Sequence, residues 1–298
     1  MEKPAPATWG GRRHWVRVLS LGLAKAKAGE AELAHRRNVR VVRQGGASSS
    51  RCQHVLVANP KGQAGKTIVS VVLAGKLAQI RGGGVVVWDG SDAAGTLASR
   101  GEGRQGRCVS EVANEPNSYA RPGTIASVAV RQSSFADVIG SLDEDREFDA
   151  ESVRRVLWAL DQSYQVQVID TGNVRHSPAF RAAVEAADLV VIPTTVTAGS
   201  IAKALALLRA LQRDTNGKGA DLAARAVVAI TSYGGPETPG LAGQIEEVFR
   251  AAGVGAVVRL PYDPAIAVGT SITVGDLSQA SDVAWTQLAA AVTHNLQH

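Results

Sequence analysis

Short apolar runs alternate with longer stretches of helical periodicity from residue 54 to the end of the chain. The runs consist mostly of Val, Ile, Leu and Ala, which is typical of strands buried on both faces of a parallel sheet. We predict strands at 54–58, 84–88, 165–169, 188–193, 226–231 and 256–260. We predict helices at 66–80, 151–162, 178–187, 198–213, 240–252 and 281–295. The pattern therefore predicts an α/β fold, a mainly parallel sheet with helices on both faces.

The N-terminal part of the chain does not follow this alternation. Residues 12–37 have apolar side chains at partly helical spacing. Residues 44–50 are rich in Gly and Ser, which is typical of a linker. We therefore predict a partly helical arm and linker at 1–51 and a catalytic domain at 52–298. Residues 100–148 show no clear pattern.

Charge is distributed unevenly along the sequence. The chain has a formal net charge of +5, but residues 1–53 hold eleven Lys or Arg and three Asp or Glu, a net charge of +8. The rest of the chain holds 21 basic and 24 acidic residues, a net charge of −3. A basic arm of this kind predicts a polyanionic partner, either nucleic acid or an acidic membrane surface. A solubilising tail is the alternative.

Cysteine content and hydropathy favour a cytoplasmic location. Cys52 and Cys108 are too few for a disulfide framework or a four-ligand metal site. No apolar run approaches the roughly 20 residues needed to span a bilayer. The first residues also lack the apolar core of a signal peptide. We therefore expect a cytoplasmic protein with no stable membrane insertion.

The first predicted strand leads into a glycine-containing turn, KGQAGKT, and then into a helix. Backbone N–H groups at a helix N-terminus point toward a bound anion, and the helix dipole favours negative charge there. Lys66 can reach the β- and γ-phosphates of a nucleotide, and the Thr67 hydroxyl can ligate Mg²⁺. An ordinary glycine turn is the alternative. The predicted nucleotide-binding residues are Lys61, Gly62, Gln63, Ala64, Gly65, Lys66, Thr67 and Ile68.

The details of this turn differ from the standard P-loop pattern. Pro60 occupies the first glycine position, and Lys61 stands five residues before Lys66. This arrangement resembles the deviant Walker A motif, KGGxGK[ST], of the ParA/MinD ATPases, with Gln63 where that family carries glycine. The segments WDxxxxxGTL, DTGN and LPYDPA are most similar to ParA-like proteins of actinobacterial plasmids and chromosomes. The resemblance implies a P-loop NTPase fold, ATP and Mg²⁺ as cofactors, and an ATP-bound homodimer in which Lys61 reaches the partner's γ-phosphate.

Carboxylates follow two of the predicted strands. Asp170 ends the strand 165–169, where α/β sheets bind ligands, and is predicted to hold Mg²⁺ with Thr67. Asp89 and Asp92 follow another strand, in a loop that resembles the family segment D-x-D-P-Q-G-N without its proline and glutamine. The resemblance implies that one aspartate positions the attacking water. We assign that role to Asp92 and a supporting role to Asp89, although both could simply be solvated.

Two later parts of the sequence resemble the same family less specifically. Pro261, in the sequence LPYDPA, lies in a segment that resembles the family's IPyDpal, which implies packing against the nucleotide base. DNA contacts in such proteins come from exposed basic residues. The candidates here are Arg13, Arg17, Arg209, Arg213 and Lys218, for which a solvated surface is the alternative.

The leading functional hypothesis is a ParA-type DNA-partition ATPase. The family implies an ATP-bound sandwich dimer that binds DNA non-specifically, associates with the nucleoid, and hydrolyses ATP slowly when a ParB-like adaptor stimulates it. One alternative is a MinD-like positioning or secretion-associated ATPase. A second alternative is a nucleotide-binding regulatory module with little hydrolysis, motivated by Gln63 and the altered loop at 89–97.

Overall fold

The central element of the structure is a sheet with parallel strands at its centre. The computed structural model describes residues 29–45, 51–93, 95–121, 123–142, 147–214, 217–232, 240–266 and 271–297. Within these ranges the sheet has eight strands in the order β3-β4-β2-β5-β1-β6-β7-β8, and all neighbouring pairs except β3–β4 are parallel. The strands are β1 Gln53–Val57, β2 Val85–Asp89, β3 Val130–Arg131, β4 Asp137–Ile139, β5 Val166–Asp170, β6 Leu189–Thr195, β7 Val227–Thr231 and β8 Ala256–Leu260. The predicted fold class is confirmed.

The helices that connect these strands agree with the predicted ones to within a few residues, apart from several that the sequence pattern did not show. The helices are α1 Glu30–Gly45, α2 Lys66–Arg81, α3 Leu97–Arg100, α4 Val109–Asn114, α5 Pro116–Tyr119, α6 Ala150–Asp161, α7 Pro178–Ala186, α8 Ala198–Gln212, α9 Gly219–Arg225, α10 Leu241–Ala251 and α11 Gln279–Leu296. The missed elements α3–α5, α9, β3 and β4 are too short to establish a periodicity. None of the described helices combines the length and the apolarity needed to cross a bilayer.

Alternation along the central strand explains why helices cover both faces of the sheet. Val55 and Val57 belong to one buried cluster, whereas Leu56 and Ala58 belong to the other, because successive side chains of a strand point to opposite faces. The first cluster includes apolar residues of α2 and α11, and the second includes residues of α6, α7 and α8. The burial of both faces accounts for the near-continuous apolar runs in the sequence.

Helix α1 is the described portion of the predicted N-terminal arm. It packs against α11 and α2, and Val42 is completely buried. The approach is close, because a Cβ added to Gly45 would lie 2.1 Å from the Thr293 Cγ2 atom. The predicted helix end at 37 and the predicted linker start at 44 are therefore wrong. The division between arm and domain at residue 52 stays a prediction.

The strand order brings the carboxyl ends of three chemically distinct strands together. Strand β5 pairs with β1 on one side and β2 on the other, and Asp170 at its end is in register with Val57 and Asp89. Because all three strands are parallel, the segments that follow them emerge at the same edge of the sheet. This edge positions the candidate site.

Candidate nucleotide site

The turn between β1 and α2 is held by a buried amide side chain. Asn59 donates from Nδ2 to the Pro193 carbonyl (2.7 Å), and its Oδ1 accepts from the Lys61 N–H (2.9 Å). The turn then passes through Gln63 and Gly65, whose φ angles of 62° and 86° lie in the left-handed region. Gln63 thus adopts a conformation that glycine tolerates better, at a cost of roughly 1–2 kcal/mol. The first N–H groups of α2 have no partner within the helix and face the end of the turn.

The Lys66 ammonium lies under this turn and is coordinated by neutral oxygens. Its Nζ donates to the carbonyls of Asn59 (3.0 Å) and Lys61 (3.2 Å) and to Oδ1 of Asn173 (2.5 Å). Burial lowers the pKa of Lys66, although the nearby Asp170 opposes that shift. Asn173 is the one side-chain acceptor of the three, so a phosphate oxygen could replace it without disturbing the backbone.

Asp170 is buried beside a second carboxylate. Ser70 Oγ donates to its Oδ1 (3.0 Å), and the Thr67 hydroxyl lies close enough to favour the charged form of this carboxylate. Burial and the neighbouring Asp89 nevertheless raise the pKa of Asp170 to about 7, against the opposing effects of these hydroxyls and Lys66. Carboxylate and hydroxyl oxygens are the ligands that Mg²⁺ prefers. Two buried carboxylates with too little positive charge around them therefore fit a divalent cation.

Asp89 is tied into the loop that follows β2. Its carboxylate accepts hydrogen bonds from the backbone N–H groups of Ser91 and Gly95 (both 3.0 Å) and from the Ser91 and Ser141 hydroxyls. A Cβ added to Gly95 would lie 2.8 Å from Asp89 Oδ2, so the loop closes tightly around this carboxylate. Asp92 is only half-buried, and its Oδ1 lies over Gly172, 2.8 Å from the position of an added Cβ.

A cleft of about 670 Å³ joins these groups, a volume typical of small-ligand sites. Most of the predicted residues share it, namely Gln63, Ala64, Gly65, Lys66, Thr67, Ile68, Asp89, Asp92 and Asp170. Lys61 and Gly62 are not among the residues that line it. The Lys61 side chain is exposed and lies toward Gly199 at the beginning of α8, with Cε 4.0 Å from the position of a Cβ on that glycine.

Pro261 lines a second, smaller cavity of about 130 Å³ that adjoins the cleft, since Gly65 and Ile68 line both. The segment that carries Pro261 is fixed by Asp263. The Asp263 carboxylate accepts from the N–H groups of Ala265 (3.0 Å) and Ser278 (2.8 Å). Pro261 thus lies beside the turn between β1 and α2, where the family resemblance predicts that it packs against the nucleotide base.

The predicted DNA-binding residues lie away from the cleft or outside the described chain. Arg209, Arg213 and Lys218 are exposed on the last turn of α8 and beyond it. Helix α8 has 15 residues and begins near Lys61, so its last turn lies about 22 Å along the axis from that end. Arg13 and Arg17 lie outside the described residues.

Sequence reasoning missed several polar residues of the site. Ser70 carried a usable signal, because it stands three residues after Thr67 and therefore on the same face of α2. Ser141 carried none, since it follows the short strand β4 and reaches Asp89 from a distance of 52 residues in sequence. Arg100 is also unpredicted. It is buried, lines the cleft and donates to the Ile266 carbonyl (2.9 Å).

The sequence of this chain is similar to that of a curated mycobacterial protein. A curated relative is the ESX-1 secretion-associated protein EspI of Mycobacterium tuberculosis (strain ATCC 25618 / H37Rv), which is 26% identical over 301 residues. The match covers 96% of this chain but 42% of EspI, so the chain spans less than half the length of that relative.

Two of the solved structures that resemble this fold are ATPases by name. A ParA family ATPase from Chlorobium tepidum TLS matches with a TM-score of 0.66 and 16% identity, covering 81% of this chain and 98% of the other. The cell division ATPase MinD of Pyrococcus furiosus matches with a TM-score of 0.61 and 18% identity, covering 80% and 98%. A model of the CobQ/CobB/MinD/ParA nucleotide binding domain matches residues 55–271, well over half of the chain. The protein belongs to this family, as the deviant Walker A motif predicted.

Proposed function

We propose that this protein is an ATPase that uses ATP binding and hydrolysis to switch between a monomer and a homodimer. The observation that carries the proposal is the convergence of Lys66, Thr67 and Asp170 in one cleft at the carboxyl edge of the sheet. A cation on a phosphate-binding turn and a buried carboxylate beside a hydroxyl are the two groups that Mg²⁺-nucleotide chemistry requires.

In the proposed mechanism, the N–H groups at the start of α2 and the Lys66 ammonium bind the β- and γ-phosphates. Thr67 and Asp170 would hold an Mg²⁺ ion, and the chemistry that the ion would supply is neutralisation of charge on the phosphate oxygens. Asp92 orients the attacking water from the open side of the cleft, while Asp89 fixes the loop on which Asp92 stands. Rate enhancement by such a site comes mainly from positioning and electrostatic stabilisation.

The position of Lys61 supports the dimeric form of this proposal. Its side chain is exposed and does not line the cleft of its own chain. Its side chain therefore lies outside the cleft in which its own subunit would hold the phosphates. In an isologous dimer, each Lys61 would approach the γ-phosphate bound by the other subunit, as an arginine finger supplied in trans does.

For the cellular role, the relationship to EspI favours the secretion-associated alternative over DNA partition. The EspI match extends over 96% of the chain and includes the N-terminal region, not only the nucleotide domain. We therefore propose a secretion-associated positioning ATPase. DNA partition remains a second candidate, because helix α1 presents Arg37, Arg40 and Arg43 to solvent in addition to the basic residues that precede it.

The test measures ATP turnover by the purified chain alone, with duplex DNA and with anionic liposomes. Turnover above that of Lys66→Ala supports the ATPase, and Lys203→Ala, at an exposed lysine of α8, is the matched control. ATP binding without turnover would favour the regulatory module instead. Stimulation by DNA would favour partition and count against the secretion-associated role.

A second measurement separates specific DNA recruitment from weak charge attraction. Affinity for duplex DNA is measured as a function of salt concentration for two variants. One replaces Arg37, Arg40 and Arg43 by alanine, and the other replaces Arg209 and Arg213 by alanine and tests a second basic surface. Each lost phosphate contact flattens the logarithmic salt slope by about 0.9. If neither variant changes the slope, neither of these described basic surfaces binds DNA.

A further inference from the structure

A cluster of three potential metal ligands lies at the opposite end of β1 from the nucleotide cleft. Cys52 directly precedes β1, His54 is in β1, and Asp161 is the last residue of α6. The Sγ atom, a ring nitrogen and a carboxylate oxygen all lie within 4.8 Å of one another. Strand β1 has five residues, so the cluster lies about 17 Å from the cleft along the strand. The chemistry proposed above uses none of these three residues.

The His54 ring faces two hydrogen-bond acceptors. Its Nδ1 lies 3.2 Å from the Ala186 carbonyl, and its Nε2 lies 2.7 Å from Asp161 Oδ1. A neutral imidazole has a single N–H. If the N–H is on Nδ1, it donates to Ala186 and the Nε2 lone pair faces a carboxylate. This is the arrangement in which metal-ligating histidines occur, with one nitrogen fixed by a backbone carbonyl and the other turned to the ion.

The carboxylate of this cluster is also oriented by buried neighbours. Gln167 is completely buried, and its Nε2 donates to Asp161 Oδ1 (2.7 Å) and to the Leu157 carbonyl (3.0 Å). Its Oε1 accepts from the indole N–H of Trp88 (2.9 Å). Outer hydrogen bonds of this kind hold a ligating carboxylate in position and contribute to metal affinity.

We propose that Cys52, His54 and Asp161 form a binding site for a zinc ion, with a fourth position open to water. Zinc accepts sulfur, nitrogen and carboxylate ligands in tetrahedral geometry, whereas Mg²⁺ takes oxygen ligands. The ligand donors of Cys52 and His54 are buried, and the Asp161 side chain is 35% exposed, which leaves a route for the ion. On binding, the Cys52 thiol releases its proton to solvent and the thiolate bonds to the metal.

The imidazole and the carboxylate need only a small adjustment. Zinc bonds of about 2.0–2.1 Å to nitrogen and oxygen in a tetrahedron place those two ligand atoms about 3.3 Å apart. The His54 and Asp161 atoms, now 2.7 Å apart, would separate by about 0.6 Å. A bound ion would tie the start of the central strand to the end of α6. No local sequence pattern indicates this site, because Asp161 is 107 residues away from His54.

The test uses the full, reduced chain without an affinity tag and without nucleotide. Zinc is titrated against a chromophoric chelator, and Co²⁺ serves as a spectroscopic substitute. We expect one high-affinity site per chain and a thiolate-to-cobalt charge-transfer band with the intense visible absorption of tetrahedral cobalt. Cys52→Ser should abolish the charge-transfer band. His54→Gln should weaken zinc binding by more than the roughly 10- to 100-fold that loss of an outer-sphere partner causes.

Cys108→Ser is the matched control, because Cys108 is the other buried free cysteine and lies outside the cluster. It should keep the wild-type affinity and spectrum. Should Cys52→Ser fail to fold by circular dichroism, His54→Gln and Asp161→Asn test the other two ligands independently. Wild-type affinity in both of these variants, or a cobalt spectrum without charge transfer in the wild type, overturns the proposal and leaves a hydrogen-bonded thiol–imidazole–carboxylate cluster.

Discussion

Two buried aspartates at opposite ends of the sheet have opposite electrostatic surroundings. Asp170 ends β5, whereas Asp188 directly precedes β6, and both are less than a tenth exposed. Burial and Asp89 raise the pKa of Asp170 to about 7. Burial also tends to raise the pKa of Asp188, but hydrogen bonds from Arg51 (2.6 and 2.9 Å) and from the His54 N–H (2.9 Å) hold it below the usual value.

The difference shows which of these two aspartates is neutralised by the fold alone. Asp188 has its countercharge within the chain, so its negative charge is neutralised when the protein folds. Asp170 has Lys66 nearby, but the second carboxylate and burial outweigh that cation. A buried carboxylate whose charge the fold does not neutralise is expected at a site where a ligand supplies the missing charge. Each prediction below changes a residue that contributes to this contrast, in order of expected effect.

The largest effect is expected from Lys61→Ala. If the carboxyl end of the sheet is completed by a second subunit, the variant should bind ATP as a monomer and fail to dimerise. Turnover should fall by about 10³-fold, the lower range of the contribution of a cation supplied in trans. Calorimetry measures ATP binding, sedimentation measures the dimer, and phosphate release measures turnover.

Lys203→Ala controls for general loss of a surface lysine and should behave as the wild type. Asp92→Ala provides the complementary result, because blocked hydrolysis should make the ATP-bound dimer accumulate. A Lys61→Ala variant that dimerises and hydrolyses ATP at the normal rate would show that Lys61 does not act in trans and that the catalytic site needs no residue of the second subunit at this position.

The carboxyl end of the sheet was largely predictable from sequence, because its chemistry lies in short contiguous segments. The turn KGQAGKT and the strand that ends at Asp170 carry both their secondary structure and their chemical groups in a few residues. The family resemblance added roles, such as that of Lys61, that no local pattern supplies. Spacing alone supports either Asp89 or Asp92 as the residue that orients the water, and the contact of Asp89 with the Ser141 hydroxyl, 52 residues away, has no signal in the local sequence.

The opposite end was not predictable, because its contacts join residues far apart in sequence. The Arg51–Asp188 pair spans 137 residues, and the assignment of residue 51 to an arm gave no reason to expect it. The packing of α1 depends in the same way on α11, at the other end of the chain. Periodicity identifies a buried face, but it does not identify the partner that buries it.

The paired variants Asp170→Asn and Asp188→Asn should have opposite consequences. Asp170→Asn removes a charge that the fold disfavours, so the melting temperature of the nucleotide-free protein should stay the same or rise. The same variant should still bind nucleotide, but that binding should no longer depend on Mg²⁺, and turnover should be lost. Asp188→Asn should retain turnover and lose about 1–2 kcal/mol of unfolding free energy, because it breaks a charge-assisted hydrogen-bonded pair.

Thermal and urea unfolding in nucleotide-free buffer measure stability, and ATP turnover across a Mg²⁺ titration measures function. The contrast between the two ends fails if Asp170→Asn is strongly destabilised while Asp188→Asn is not. Wild-type turnover by Asp170→Asn would remove Asp170 from the proposed metal site without affecting the fold.

The smallest effect is expected from Arg51→Ala, which removes the countercharge of Asp188. The lowered pKa of Asp188 means that its ion pair stabilises the fold above the carboxyl's unfolded-state pKa of about 3.9, and that this stabilisation disappears as pH falls through the lower folded-state value. The variant should therefore lose about 1 kcal/mol or less at pH 7, since the Arg51 side chain is 65% exposed. The deficit should begin to shrink below about pH 4, where the carboxyl of the unfolded chain takes up a proton, and should disappear once the carboxyl of the folded wild type is protonated as well. Urea unfolding at pH 7 and pH 3 measures it, with Arg51→Lys as the control that keeps the charge but loses the two-pronged geometry. A deficit of equal size at both pH values would show that Arg51 contributes by packing, and that Asp188 does not depend on it for its charge.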